Sequence, residues 1–228
     1  MARRIPLDVQ HGSYQEVFAD WLEESGGTLA LCKRTASPLL DWIAQLPADA
    51  LPAGRLWLQP CEARAALNAV CDASGTPRDL TRDAFVENVA AQVALFASLA
   101  RCETVRLRLD VIRDDACRRW HRDCVPLRLI CTYRGPATQW VGPELASAVM
   151  SAPDDDSQHA QSLATGDVAL LKGCGWPGLA HDGGIVHRSP RIGGTGQARL
   201  VLVIDAPMRY PAGVGQETAP DVDLLLLS

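Results

Sequence analysis

The strongest constraint on this chain is a change of hydrophobic period at residue 102. Over residues 79–100, Phe85, Val89, Val93, Leu95, Phe96 and Leu99 line one face at helical spacing. From residue 105 the spacing halves: Val105, Leu107, Leu109 and Val111 alternate with Arg106, Arg108 and Asp110, the period-two pattern of a strand buried on one side. The part before the change reads mainly as helices. Residues 13–24 carry Val17, Phe18, Trp21 and Leu22 at helical spacing and stop at Gly26 and Gly27; residues 39–46 lie between Pro38 and Pro47; residues 61–73 form a third helix. One apolar strand, residues 28–32 (TLALC), interrupts them. After the change come strand-like runs at 125–133, 139–141, 167–171, 184–187 and 199–204, joined by connectors rich in Gly, Pro and Asp. The prediction is an α+β domain over 1–228, with a helical part at 1–102 packed on a β-sandwich or barrel at 103–228.

Charge and cysteine usage exclude several classes. With 22 basic against 27 acidic residues the net charge is −5, which argues against a nucleic-acid-binding surface. Local basic clusters at 106–108, 118–122 and 188–191 read as salt-bridge or recognition groups. The eight cysteines form no C-x-x-C pair, which argues against a zinc ribbon or a dithiol redox motif. Arginines at the start are not followed by an apolar core, and no stretch reads as the ~20 apolar residues of a membrane span. The expectation is a cytoplasmic protein with reduced thiols and no membrane partner. Asp154 to Asp156 reads as a solvated turn, and the leucines 224–227 as a packed edge.

The chemistry-bearing residues sit in the second half. In Trp120-His121-Arg122-Asp123, an extended backbone puts the imidazole of His121 and the carboxylate of Asp123 on one side. His187 ends a strand-like segment that follows a glycine-rich loop, where a barrel could bring it across to the first pair. Two histidines and one carboxylate with an open face suit non-haem Fe(II). His181 and Asp182 are the rivals for the third ligand, while His11 and His159 read as surface residues. Arg199 opens an otherwise apolar strand, so its guanidinium needs an anion, either a carboxylate side chain or a bound dicarboxylate. Arg188 and Arg191 are alternative anion partners. Asp167 is expected to fix a turn, and Lys172 to snorkel from a strand end. Trp120, Trp140 and Trp176 flank the site as pocket walls or as packing.

The order His121-x-Asp123, Tyr133, the glycine-flanked run 166–173, His187 and Arg199 resembles the Fe(II)/2-oxoglutarate-dependent oxygenases over residues 105–206. The runs WHRDCVPLRLICTYRGPATQW, GDVALLKG and VHRSP resemble more closely an uncharacterised bacterial domain-of-unknown-function family that spans nearly the whole chain. The oxygenase resemblance implies a double-stranded β-helix (jelly-roll, cupin-like) core. It also implies His121, Asp123 and His187 as iron ligands, Arg199 as partner of the distal carboxylate of 2-oxoglutarate, and Tyr133 as a hydroxyl in the cosubstrate pocket. The implied activity is hydroxylation of a C–H bond coupled to decarboxylation of the cosubstrate; the substrate, a small molecule or a protein side chain, and the oligomeric state stay open. The family resemblance also implies an alternative, a non-redox Zn(II)-binding protein linked to bacterial metal homeostasis, for which the same three ligands serve. A third reading is a barrel that binds a partner and no metal.

Overall fold

The computed structural model of the chain describes residues 3–5, 18–23, 27–34, 37–154, 160–180 and 182–207. His11, His159, His181, Asp155, Asp156 and the leucines 224–227 lie outside them, and the expected first helix, α1, is described over 18–23. Helices α2 (Pro38–Gln45), α3 (Ala63–Ala73) and α4 (Leu80–Ala100) follow where the apolar spacing predicts them. Asp79 starts α4 by accepting hydrogen bonds from the backbone N–H groups of Thr81 and Arg82, which satisfies two donors of the open first turn. At 21 residues with mean hydropathy 1.2, α4 is long and apolar enough to cross a membrane, contrary to expectation. Here it is a core helix: Phe85, Val89, Val93 and Phe96 are fully buried beneath the sheet.

The strands are β1 (Arg3–Ile5), β2 (Leu29–Cys32), β3 (Gly54–Leu58), β4 (Val105–Ile112), β5 (Leu127–Arg134), β6 (Gln139–Val141), β7 (Gln161–Ser162), β8 (Val168–Lys172), β9 (Val186–Arg188) and β10 (Arg199–Asp205). They form a seven-stranded sheet in the order β1-β2-β8-β5-β10-β4-β3 and a three-stranded sheet in the order β7-β6-β9. The pairings are antiparallel apart from β1 with β2. Four elements were not anticipated: β1, β3, β7 and the helix α5 (Pro143–Ser151). The β3 segment, GRLWL, buries Leu56 and Leu58 on one side and exposes Arg55 and Trp57 on the other, an edge strand too short to register as a pattern.

Side-chain alternation splits the large sheet into two faces. Leu107 and Leu109 of β4, Leu129, Cys131 and Tyr133 of β5, and Leu200, Leu202 and Ile204 of β10 pack under the helices. Ile130, Ala169, Leu171, Val201 and Val203 point the other way and meet Trp140 and Ile185 of the small sheet. The molecule is thus a helical layer, a large sheet and a small sheet. The space between the two sheets holds the functional residues.

Candidate metal centre

His121 and His187 are direct cross-strand partners. Each donates its backbone N–H to the other's carbonyl oxygen at 3.0 Å, so their side chains leave the backbone on one face. On its other side His187 pairs with Trp140, whose ring lies in the apolar layer between the sheets, so the face shared by the two imidazoles is the inner one. Their ring centroids are 4.5 Å apart. Asp123, two residues on, follows: its carboxylate lies 3.8 Å from His121 Nε2 and 3.3 Å from His187 Nε2. One donor atom from each of the three residues fits within 4.8 Å of the others.

The backbone around Asp123 is held by close packing. Its carbonyl accepts from Cys174 N–H at 2.9 Å. A Cβ at Gly173 would sit inside van der Waals contact of the carbonyl oxygens of Val125 and Asp123, so only glycine lets the two segments approach.

Hydrogen bonding sets the direction of each imidazole. His121 Nδ1 lies 2.8 Å from the carbonyl oxygen of Arg119, and His187 Nδ1 3.3 Å from that of Ile185. A carbonyl can only accept, so the proton of a neutral ring sits on Nδ1 and the Nε2 lone pairs turn toward Asp123. Burial, reinforced by the neighbouring His187, pushes His121 below the usual histidine range, which favours the neutral ring. Burial alone would raise the Asp123 carboxyl, but His187, Arg128 and His121 outweigh it and hold it at about 2. With both rings neutral, two nitrogen acceptors and one ionised carboxylate converge here. That arrangement is repulsive unless a cation joins it.

Orphaned polar atoms extend the site. Asp123 Oδ2, Thr132 Oγ1, Arg199 Nη1 and Arg108 Nε are buried and, among the described residues, accept or donate no hydrogen bond. Thr132 and Arg108 pair across the ladder with Val201 and Val203, and Arg199 lies two residues before Val201, so the three share the inner face of the large sheet. Arg199 is 1% exposed. Its Nε donates to the carbonyl of Pro136 at 2.7 Å, and no carboxylate of the described residues forms an ion pair with it. Burial pushes this guanidinium down to about 10. A guanidinium Nη1 and a hydroxyl with no partner among the described residues, in a dry interior, fit an anionic group carrying several acceptor oxygens.

Tyr133 does not belong to this interior. It faces the helices, 5.2 Å edge-on from Phe85, with its hydroxyl held by Gln92 Nε2 and Asn88 Oδ1. Its neighbour Thr132 supplies the inward hydroxyl. The parity of β5, with Leu127, Leu129 and Cys131 on the helix side, carried that signal. Among the rival arginines, Arg188 is buried, stacked 4.4 Å from the Trp120 ring and bonded to Gln139, while Arg191 bonds the carbonyl of Asp154 at the surface. Trp176 and Trp21 sandwich the ammonium of Lys172, which donates to the carbonyls of Trp21 and Leu22. Lys172 is 1% exposed and bonded to these two backbone carbonyls, so it does not snorkel to solvent. Asp167 behaves as expected, accepting the N–H groups of Ala164 and Arg34 across its turn.

Two imidazoles and a carboxylate between two antiparallel sheets define a candidate mononuclear metal site. The chain belongs to the family described as protein of unknown function DUF1826, whose model matches residues 12–205. No curated protein sequence matches it. Among solved structures it is similar to a dioxygenase for auxin oxidation from Arabidopsis thaliana in binary complex with 2-oxoglutarate, at 14% identity, covering 91% of this chain and 94% of that one with a TM-score of 0.49. The dioxygenase for auxin oxidation of rice gives 13% identity, 90% and 81% coverage, and a TM-score of 0.48. A prolyl-4-hydroxylase of Pseudomonas putida gives 15% identity, 77% and 97% coverage, and a TM-score of 0.37.

Proposed function

We propose that this protein is an Fe(II)- and 2-oxoglutarate-dependent oxygenase of the hydroxylase type, built on a double-stranded β-helix. The order in which the chain visits the two sheets supports the architecture: β4 in the large sheet, His121 against the small one, β5 back in the large, β6 and β7 in the small, then β8, β9 and β10 alternating. The observation that carries the function is the pairing of a two-histidine, one-carboxylate cluster with a buried guanidinium that has no carboxylate partner among the described residues. A structural zinc site needs four closed ligands and gives no reason to bury an unpaired arginine.

In this reading His121, Asp123 and His187 hold the metal on one face and leave the opposite face open. The His121 side chain is 35% exposed against 5% for His187, which puts the approach from solvent on the His121 side. Arg199 and Thr132 hold the distal carboxylate of the cosubstrate, and the apolar wall of Val201 and Val203 excludes water beside it. Iron with 2-oxoglutarate supplies the oxidising chemistry when bound. Eight cysteines outside any disulfide suit a reducing, cytoplasmic setting.

The test is anaerobic addition of Fe(II) to the metal-free protein, then 2-oxoglutarate, with the visible charge-transfer band of the chelated cosubstrate as readout. The expected result is a band that saturates at one equivalent of iron and is absent in His187→Ala. Tight Zn(II) binding with no band would replace this reading by the non-redox metal-binding alternative.

A further inference from the structure

The two oxygens of Asp123 stand in different surroundings. Oδ2 accepts no hydrogen bond and lies 3.3 Å from His187 Nε2, whereas Oδ1 accepts from Arg128 Nη1 and lies farther, 3.8 Å, from His121 Nε2. The remaining edge of that guanidinium is engaged: Nε and Nη2 donate to Asp205 Oδ1 and Oδ2 at 2.6 and 2.9 Å. Arg128 and Asp205 are cross-strand partners on β5 and β10, so the fork is set by the ladder itself. Their side chains are 14% and 5% exposed. Arg108 lies 3.9 Å from Asp205 on the other side and 3.6 Å from Asp110, its charge shared between two carboxylates.

We propose that Arg128, locked on Asp205, is a positioning residue of the metal centre, making Asp123 a one-oxygen ligand. The inference rests on the metal reading above. Arg128 occupies Oδ1 and fixes the carboxylate rotamer, so that Oδ2 alone is offered to the cation. A guanidinium one carboxylate away from a divalent cation would repel it in this buried setting, and Asp205 cancels that charge. The pair Arg128–Asp205 therefore acts as a neutral clamp: Arg128 supplies direction, Asp205 removes the electrostatic penalty. An arginine serving only to hold β5 to β10 would have no need to reach Asp123.

Three predictions follow from the clamp. Asp205→Asn keeps the shape and removes the cancelling charge, so the affinity for Co(II), used as a redox-quiet spectroscopic probe, should fall about tenfold or more. Arg128→Met frees Oδ1, so Co(II) affinity should change by no more than a few-fold while the visible d–d spectrum weakens and shifts as both oxygens coordinate. The double variant, with both charges gone, should bind Co(II) more tightly than Asp205→Asn alone. Equal losses of Co(II) affinity in Arg128→Met and Asp205→Asn, as a pair that only holds β5 to β10 would give, overturn the proposal, and so does a double variant that binds no more tightly than Asp205→Asn. Should Arg128→Met fail to fold by circular dichroism, Asp205→Glu against Asp205→Asn supplies the contrast: Glu should keep affinity, and equal affinities overturn the clamp. If the wild type does not bind Co(II) one-to-one, or if His187→Ala binds it equally well, the metal centre itself falls and the clamp with it.

Discussion

Replacing Arg199 by methionine should stabilise the ligand-free protein and abolish its response to 2-oxoglutarate. Burial without a carboxylate pushes the guanidinium well below its ordinary range, to about 10, a fall of roughly two units or more. At ~1.4 kcal/mol for each tenfold change, that costs the folded state about 3 kcal/mol. The substitution also removes the hydrogen bond to the Pro136 carbonyl, worth about 1.5 kcal/mol for a charged donor. Methionine fills the aliphatic path with little strain. The net gain is on the order of 1–2 kcal/mol, a rise in Tm of roughly 2–8 °C for a chain of this size. The sign with pH follows from the folded value lying below the unfolded one: the penalty is constant well below pH 10 and is relieved only as pH rises through 10. The gain should therefore be the same at pH 6 and pH 9. Thermal unfolding with Ni(II) in place of iron then separates function from stability. Cosubstrate at a hundred times its Kd should add about 2.7 kcal/mol to the wild type and nothing to Arg199→Met. A variant less stable than the wild type without ligand, or stabilised equally by 2-oxoglutarate, refutes the reasoning.

Two further substitutions test how the site is held. Tyr133→Phe should cost about 1–2 kcal/mol in urea unfolding, since it removes the hydroxyl that Gln92 and Asn88 share, while leaving the affinity for 2-oxoglutarate unchanged; a weakened cosubstrate affinity would place Tyr133 back in the pocket. Gly173→Ala drives a methyl group against the carbonyls of Val125 and Asp123, so it should lower both stability, by about 1–3 kcal/mol, and Co(II) affinity. Unchanged metal affinity in that variant would mean that the loop does not hold Asp123.

The sequence by itself determined whatever depends on neighbours along the chain. The period change at residue 102 separates the helical layer from the sheets, and the i, i+2 spacing places His121 beside Asp123. The apolar run opened by Arg199 marks a buried charge, because the five residues that follow it, 200–204, are all apolar. Short elements escaped, since five residues of β3 or nine of α5 carry too few periods to stand out. The facing of β5 was readable from parity, which turns Tyr133 toward the helices and Thr132 inward, whereas the resemblance that implied Tyr133 carries no information on facing. Only the tertiary structure decided which distant groups meet. His187 opposes His121 through two backbone hydrogen bonds, and Asp205 reaches Arg128 across 77 residues of sequence, because ladder register is a property of two strands and not of either one. Whether Arg199 would find a carboxylate was likewise a question of tertiary packing, and among the described residues it forms no ion pair with one.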